Sequence, residues 1–192
     1  MIQRLYDWTL SLAEHRHALW VLALVSFLES SMFPIPPDII MIPMILARPN
    51  RAFVIAGVAL VASVLGGMLG YAIGALAYDT LGEPILRSLG KADSMEEFAT
   101  RFNDLGFWAV LVAGVTPFPY KVITIMSGWT GMPLATFVTT SILARGLRFF
   151  LVALLLWKFG APVRDFIERR LPLMFTIALA LLIGGFLVLK WI

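Results

Sequence analysis

Five ionisable residues fall inside apolar stretches of this sequence: Glu29, Asp38, Lys121, Arg145 and Arg148. A charge held in hydrocarbon is costly, so such residues turn toward an interior and find partners or ligands there. The three cations could hold an anionic group such as a phosphate through charge-assisted hydrogen bonds. Glu29 and Asp38 could take up and release a proton, because low dielectric brings the charged and neutral forms of an acid closer in free energy. Spacings of four and three put Ser141, Arg145 and Arg148 on one helix face, which therefore cannot point at lipid. A plainer reading is a set of internal ion pairs, Glu29 and Asp38 against the three cations, that only hold the chain together. Apolar cores of similar volume are often no less stable than such pairs, so that reading leaves the placement of the charges unexplained.

Two of the five occupy matching contexts. In "FPIPPD", residues 33–38, Pro34 and Pro36 precede Asp38; in "TPFPYK", residues 116–121, Pro117 and Pro119 precede Lys121. Proline frees backbone carbonyls, and irregular backbone at membrane depth is tolerated only where it is buried or lines a cavity.

Other chemistries find little support. There is no cysteine, which excludes thiolate metal sites and cysteine nucleophiles. The two histidines, His15 and His17, point to different sides of a helix and sit at the N-terminal edge. No histidine therefore lies among the apolar segments to serve as a base, and Ser127 and Gly128 read as a turn or a close packing point. No catalytic residue, metal site or cofactor is expected.

The elements that must position these charges are those of a membrane protein. Hydrophobic residues make up 60% of the 192 and charged ones 14%, with a mean hydropathy of +0.89, which is too few charges for a water-facing surface. The basic balance is explained by cytoplasmic loops and anionic headgroups, without nucleic acid. The whole chain reads as one membrane domain, 1–192. Residues 1–17 form an interfacial helix with Tyr6 and Trp8 at headgroup depth. Residues 18–47 are two short apolar halves broken by the first proline cluster, each too short to cross the bilayer comfortably, and read as a re-entrant hairpin. A spanning helix comes next, over 52–78. Its Gly66, Gly70 and Gly74 recur every fourth residue and let another backbone approach closely. Residues 79–105 carry an amphipathic surface helix with a Ser94–Glu97 capping pattern and an outward Glu97–Arg101 pair. A second re-entrant hairpin is expected over 106–132, spanning helices over 133–157 and 172–192, and a basic loop between those two.

Sliding the sequence by 83 residues lays Pro34 on Pro117, Pro36 on Pro119 and Asp38 on Lys121. The fold expected is thus all-α, an inverted repeat of re-entrant hairpin plus transmembrane helix, with a C-terminal transmembrane helix added. Inverted repeats with broken helices that meet near the midplane are a transporter design. Lysine and arginine concentrate on the side of the N-terminus, the "RPNR" corner (residues 48–51) and the 158–171 segment, which puts the N-terminus in the cytoplasm.

The stretches "FLESSMFPIPPDIIMIPM", "GGMLGYAIG" and "GVTPFPYKVITIMSGWTGMP", in that order, resemble the DedA family of bacterial inner-membrane proteins, and more narrowly its YqaA-type branch. The likeness runs from about Phe27 to about Phe150. It implies two opposed re-entrant hairpins and a flippase or scramblase activity on phosphate-bearing lipids, undecaprenyl phosphate or phospholipid, coupled to protons. The family's functional acids fall on Glu29 and Asp38. Its functional arginines belong to the second proline tip, where this sequence has Thr116 and Lys121; Lys121, with Arg145 or Arg148 standing in for an arginine, would then bind the substrate, and Ser141 on the face of Arg145 and Arg148 is counted with them. The implied partners are lipids with anionic headgroups and protons, and a homo-oligomer is left open. The rival class is a non-transporting scaffold or assembly factor for the envelope; a membrane enzyme is more distant, because no nucleophile and base can be assembled.

Overall fold

The computed structural model describes residues 17–32, 35–82, 84, 88, 92–116 and 119–189, with the backbone alone at 79, 81, 92–95, 161 and from 163 on. The expected interfacial helix, His15, Pro34 and Pro117 lie outside the described residues. Everything described is helix, turn or short connection.

The first proline cluster divides an apolar run into α1 (Ala18–Ser31) and α2 (Asp38–Ala47). At 14 and 10 residues these rise about 21 and 15 Å, well short of a bilayer's roughly 30 Å of hydrocarbon. Asp38 stands in the first turn of α2, where a carboxylate complements the helix dipole. A 3₁₀ turn, Pro49–Arg51, leads into α3 (Ala52–Ala77), and the two together form an apolar span of 29 residues. After a π turn over Tyr78–Gly82 comes α4 (Ala92–Asp104), the most strongly amphipathic helix, with an exposed Arg101–Glu97 pair at 2.6 Å.

The second proline cluster separates α5 (Gly106–Val115) from α6 (Tyr120–Trp129). Thr116 is extended at φ −79°, ψ 166°, the conformation a residue before proline is driven into. Past α6, Gly131 takes φ +66°, while Met132 N–H reaches the Ser127 carbonyl at 3.0 Å. A left-handed glycine closes the helix and Pro133 prevents its continuation.

The last helix, α7, runs unbroken over Leu134–Leu189. This differs from the expected two spanning helices joined by a basic loop at 158–171. That segment carries Gly160 and Pro162, with Pro172 directly after it, and the helix runs through all three. The part that satisfies length and apolarity for crossing a membrane is Leu134–Gly160.

Helix α3 is the hub. It packs against α1, α6 and α7, while α7 also packs against α2 and α5. The first short helix of each proline-broken pair thus lies on the long helix that comes after it, and the second lies on the long helix of the other half. Backbone meets backbone along α3. A Cβ on Gly66 would come within 2.1 Å of the Phe27 carbonyl oxygen on α1, and one on Gly74 within 2.0 Å of the Ile125 carbonyl oxygen on α6. Gly70 sits between the two, facing the Thr124 hydroxyl and the Ser30 carbonyl.

Two apolar clusters fill the interior, one around Leu22, Met41, Ile45, Ile55, Ala59 and Phe149, the other around Val110, Tyr120, Met132 and Phe137. Between them, along α3 and α7, lies a polar layer at Ser63, Ser141 and Arg145. The outside is reversed: Arg145 is 1% exposed while Leu147 on the same helix is 59% exposed. A chain that hides arginine and displays leucine is arranged for a hydrocarbon surround.

Candidate functional site

Four of the five charges that fall in apolar stretches form two ion pairs, and both link α7 to the first proline-broken pair. Arg145 donates from Nη2 to Glu29 Oε2 at 2.6 Å, and Arg148 donates from Nη2 to Asp38 Oδ2. One helical turn on α7 therefore serves the acid before the first proline tip and the acid just after it.

The inner pair is closed. Arg145 Nε–H donates to Ser63 Oγ at 2.7 Å, the Ser63 and Ser30 hydroxyls are 2.7 Å apart, and Ser30 Oγ donates to Glu29 Oε2 at 3.1 Å. The proton directions come from donor counting. The arginine can only donate and an ionised glutamate can only accept, so Ser63 donates to Ser30 and Ser30 donates to Glu29. Three helices, α1, α3 and α7, thus share one ring of hydrogen bonds. The Arg145 guanidinium carbon also lies 4.8 Å from the Tyr120 ring centroid and 4.6 Å from that of Phe149. Tyr120 in turn donates its hydroxyl proton to buried Ser141.

The outer pair is open by comparison. The difference lies in the arginines, with Arg148 20% exposed against 1% for Arg145, while Asp38 and Glu29 are alike at 19% and 14%. Arg148 Nη1 donates to the Thr116 carbonyl at 3.1 Å, while Asp38 Oδ1 is buried with no hydrogen-bond partner. Lys121, half-buried, donates from Nζ to the Met32 carbonyl at 3.4 Å, its one hydrogen bond among the described residues. Met32 and Thr116 are the residues before the two proline tips; Asp38 and Lys121 are the residues after them. Each tip therefore gives a carbonyl to a cation, and the two tips are tied crosswise. Thr124 on α6 adds a 3.0 Å hydrogen bond to the Ser30 carbonyl on α1.

Glu29, Asp38, Arg145 and Arg148 come together, with Ser141 held one step away through Tyr120. Lys121 joins the tips but has no carboxylate partner among the described residues. Sequence reasoning missed Ser30, Ser63 and Tyr120. A serine directly after Glu29, a tyrosine directly before Lys121, and a serine one turn before the glycine row at 66 were the available signals.

An all-helical chain with an apolar exterior, proline-broken short helices and a charged polar layer between its long helices is built as a membrane protein. The VTT domain matches residues 35–158, and the chain belongs to that family, also called DedA. It is 42% identical over 168 residues to an uncharacterized protein from Haemophilus influenzae, covering 85% of this chain and 87% of that one. A second uncharacterized relative, from Histophilus somni, is 40% identical over 168 residues with the same coverage. No solved structure matches. Family membership carries a membrane transporter-like function in general terms.

Proposed function

We propose that this chain moves a phosphate-bearing lipid, of the polyprenyl phosphate or phospholipid class, across the bacterial inner membrane with proton coupling. In this reading the proline-broken pairs α1–α2 and α5–α6 are re-entrant hairpins of an inverted repeat, entered from opposite sides, and the N-terminus is cytoplasmic. The crosswise packing of the short helices on α3 and α7 and the reciprocal ties between the tips support it.

The observation that carries the function is the pairing of Glu29 with Arg145 and of Asp38 with Arg148 between the two halves. A carboxylate and a phosphate compete for the same guanidinium donors. A proton on the acid releases the arginine, so proton uptake and anion binding become linked at one site. The Arg148 guanidinium also lies against the Thr116 backbone, beside the tip where the resemblance calls for an arginine.

The test uses purified protein in liposomes that carry a fluorescent phospholipid or a polyprenyl phosphate, with accessibility followed from outside, with and without a pH gradient. Transbilayer movement that a gradient alters, and that loses its response to the gradient in Asp38→Asn, is the expected result. A normal gradient response in Asp38→Asn removes the acid from the mechanism. The closed ring around Arg145 favours a second reading, in which the pairs are scaffold for an assembly factor. Absence of movement for both lipids in the wild type would select it.

A further inference from the structure

The two ion pairs differ in kind, and the difference divides their labour. Resting on the lipid-phosphate reading above, we infer that the headgroup docks on Arg148 and Lys121 at the proline tips, in place of the Asp38 carboxylate, and that Arg145 is a fixed lock which never holds it.

Arg145 is closed to a ligand by its surroundings and not by its donor count, since two of its three nitrogens are bonded, as in Arg148. Its Nε and Nη2 are committed to Ser63 and Glu29, aromatic rings of Tyr120 and Phe149 lie against its guanidinium, and it is 1% exposed. A phosphate could reach it only by opening a ring that joins three helices and by parting the apolar clusters on either side. Ser141, one turn earlier on α7, is likewise occupied by the Tyr120 hydroxyl.

Arg148 differs in access, being 20% exposed. A guanidinium has five N–H donors, and the hydrogen bonds of Arg148 use two of its nitrogens, Nη2 toward Asp38 and Nη1 toward the Thr116 carbonyl. Its acidic partner is under-satisfied, since Asp38 Oδ1 is buried without a donor. That leaves the carboxylate easier to displace than Glu29, whose Oε2 accepts from both Arg145 and Ser30. Lys121 contributes a second positive charge on a flexible stem, tethered only by a long 3.4 Å hydrogen bond to a carbonyl. Both cations belong to the crossed ties of the tips, and a phosphate monoester carries the charge and the acceptor oxygens to take both. As the anion binds, Arg148 exchanges Asp38 for phosphate and Lys121 leaves Met32. Asp38, freed from its cation, is then the acid that takes the proton, while the Glu29 ring stays intact.

The experiment measures binding of a water-soluble short-chain phosphatidic acid, and separately of inorganic phosphate, to the full chain in detergent, by calorimetry or by thermal shift. The phosphatidic acid should bind the wild type. Asp38→Asn should tighten binding at least about tenfold, the worth of removing one competing charge-assisted contact. Arg148→Gln and Lys121→Gln should each weaken it about tenfold. Should Arg148→Gln fail to fold, Asp38→Asn and Lys121→Gln still decide the matter. Tightening by Glu29→Gln with none by Asp38→Asn would put the anion on Arg145 and overturn the assignment, leaving the lipid-phosphate reading in place. Binding of inorganic phosphate alone would keep the site but make the free ion its ligand. No binding of either probe to the wild type or to Asp38→Asn would overturn both.

Discussion

Replacing Arg145 by methionine removes the one full charge enclosed between the two apolar clusters, and the surrounding contacts set the cost. In Arg145→Met, Glu29 keeps its Ser30 hydrogen bond but loses its cation; in Glu29→Leu, a guanidinium with 1% exposure loses its anion. Breaking one side of a buried pair costs about 3–5 kcal/mol, because the remaining charge is uncompensated. The double replacement leaves no stranded charge, and Ser30 and Ser63 still bond each other at 2.7 Å. Its cost should therefore be small, within about 1–2 kcal/mol of wild type, since apolar substitutes for a buried pair are often neutral. For a chain of this size each kcal/mol moves a thermal midpoint by about 2–4 °C, so each single variant should fall by about 6–20 °C and the double variant should recover most of that. The assay is thermal denaturation of purified protein in detergent, monitored by tryptophan fluorescence and by loss of a monodisperse size-exclusion peak. Single variants within about 2 °C of wild type, or a double variant as unstable as the sum of the two, would refute the enclosed ring.

The remaining predictions concern single contacts. Gly74→Ala places a methyl 2.0 Å from the Ile125 carbonyl oxygen, which as backbone cannot swing aside, and should cost about 1–3 kcal/mol by parting α3 from α6. Gly57→Ala on the same helix meets nothing within 4 Å and should be neutral or stabilising by up to about 1 kcal/mol, so the pair of midpoints separates packing from propensity. Ser63→Ala strands the Arg145 Nε–H and should lower stability by about 1–3 kcal/mol, whereas Tyr120→Phe loses one neutral hydrogen bond but keeps the ring beside Arg145 and should cost about 1 kcal/mol. Asn103→Ala removes both hydrogen bonds that tie α4 to Thr130 and should make the 92–105 segment more sensitive to limited proteolysis, with the helical bundle unchanged.

The charges were legible in the sequence because hydrocarbon makes them conspicuous. An arginine in the middle of an apolar helix has to face inward, and the spacing of Ser141, Arg145 and Arg148 fixed the face. The proline clusters were legible for the same local reason, since no helix passes easily through "PIPP". What the sequence withheld was partner choice. Asp38 goes to Arg148 and not to Lys121, a matter of which helices cross and in what order, and no local pattern encodes it. The serines escaped because a hydroxyl satisfies itself on its own helix backbone at little cost, so Ser30 and Ser63 looked ordinary until α1 and α3 came into contact. The continuity of α7 is hidden in the sequence because Gly160, Pro162 and Pro172 are breakers by average behaviour, and the helix passes through all three.

The glycine row has a mechanical meaning. Where Gly66 and Gly74 bring the backbone of α3 against the carbonyls of α1 and α6, no side chain lies between to repack, so those three helices can only travel as one block. Between α7 and the α2 and α3 side the neighbours are softer, since Gly146 faces a methyl of Leu60 at 3.7 Å and Gly160 one of Leu46 at 3.5 Å, whereas on the α5 side Gly114 would set a Cβ 2.6 Å from that of Ala144. Leucine ends can switch rotamers and slide where carbonyls cannot. The softer seam of α3 therefore faces α7, and the Arg145–Glu29 pair is the bolt across it.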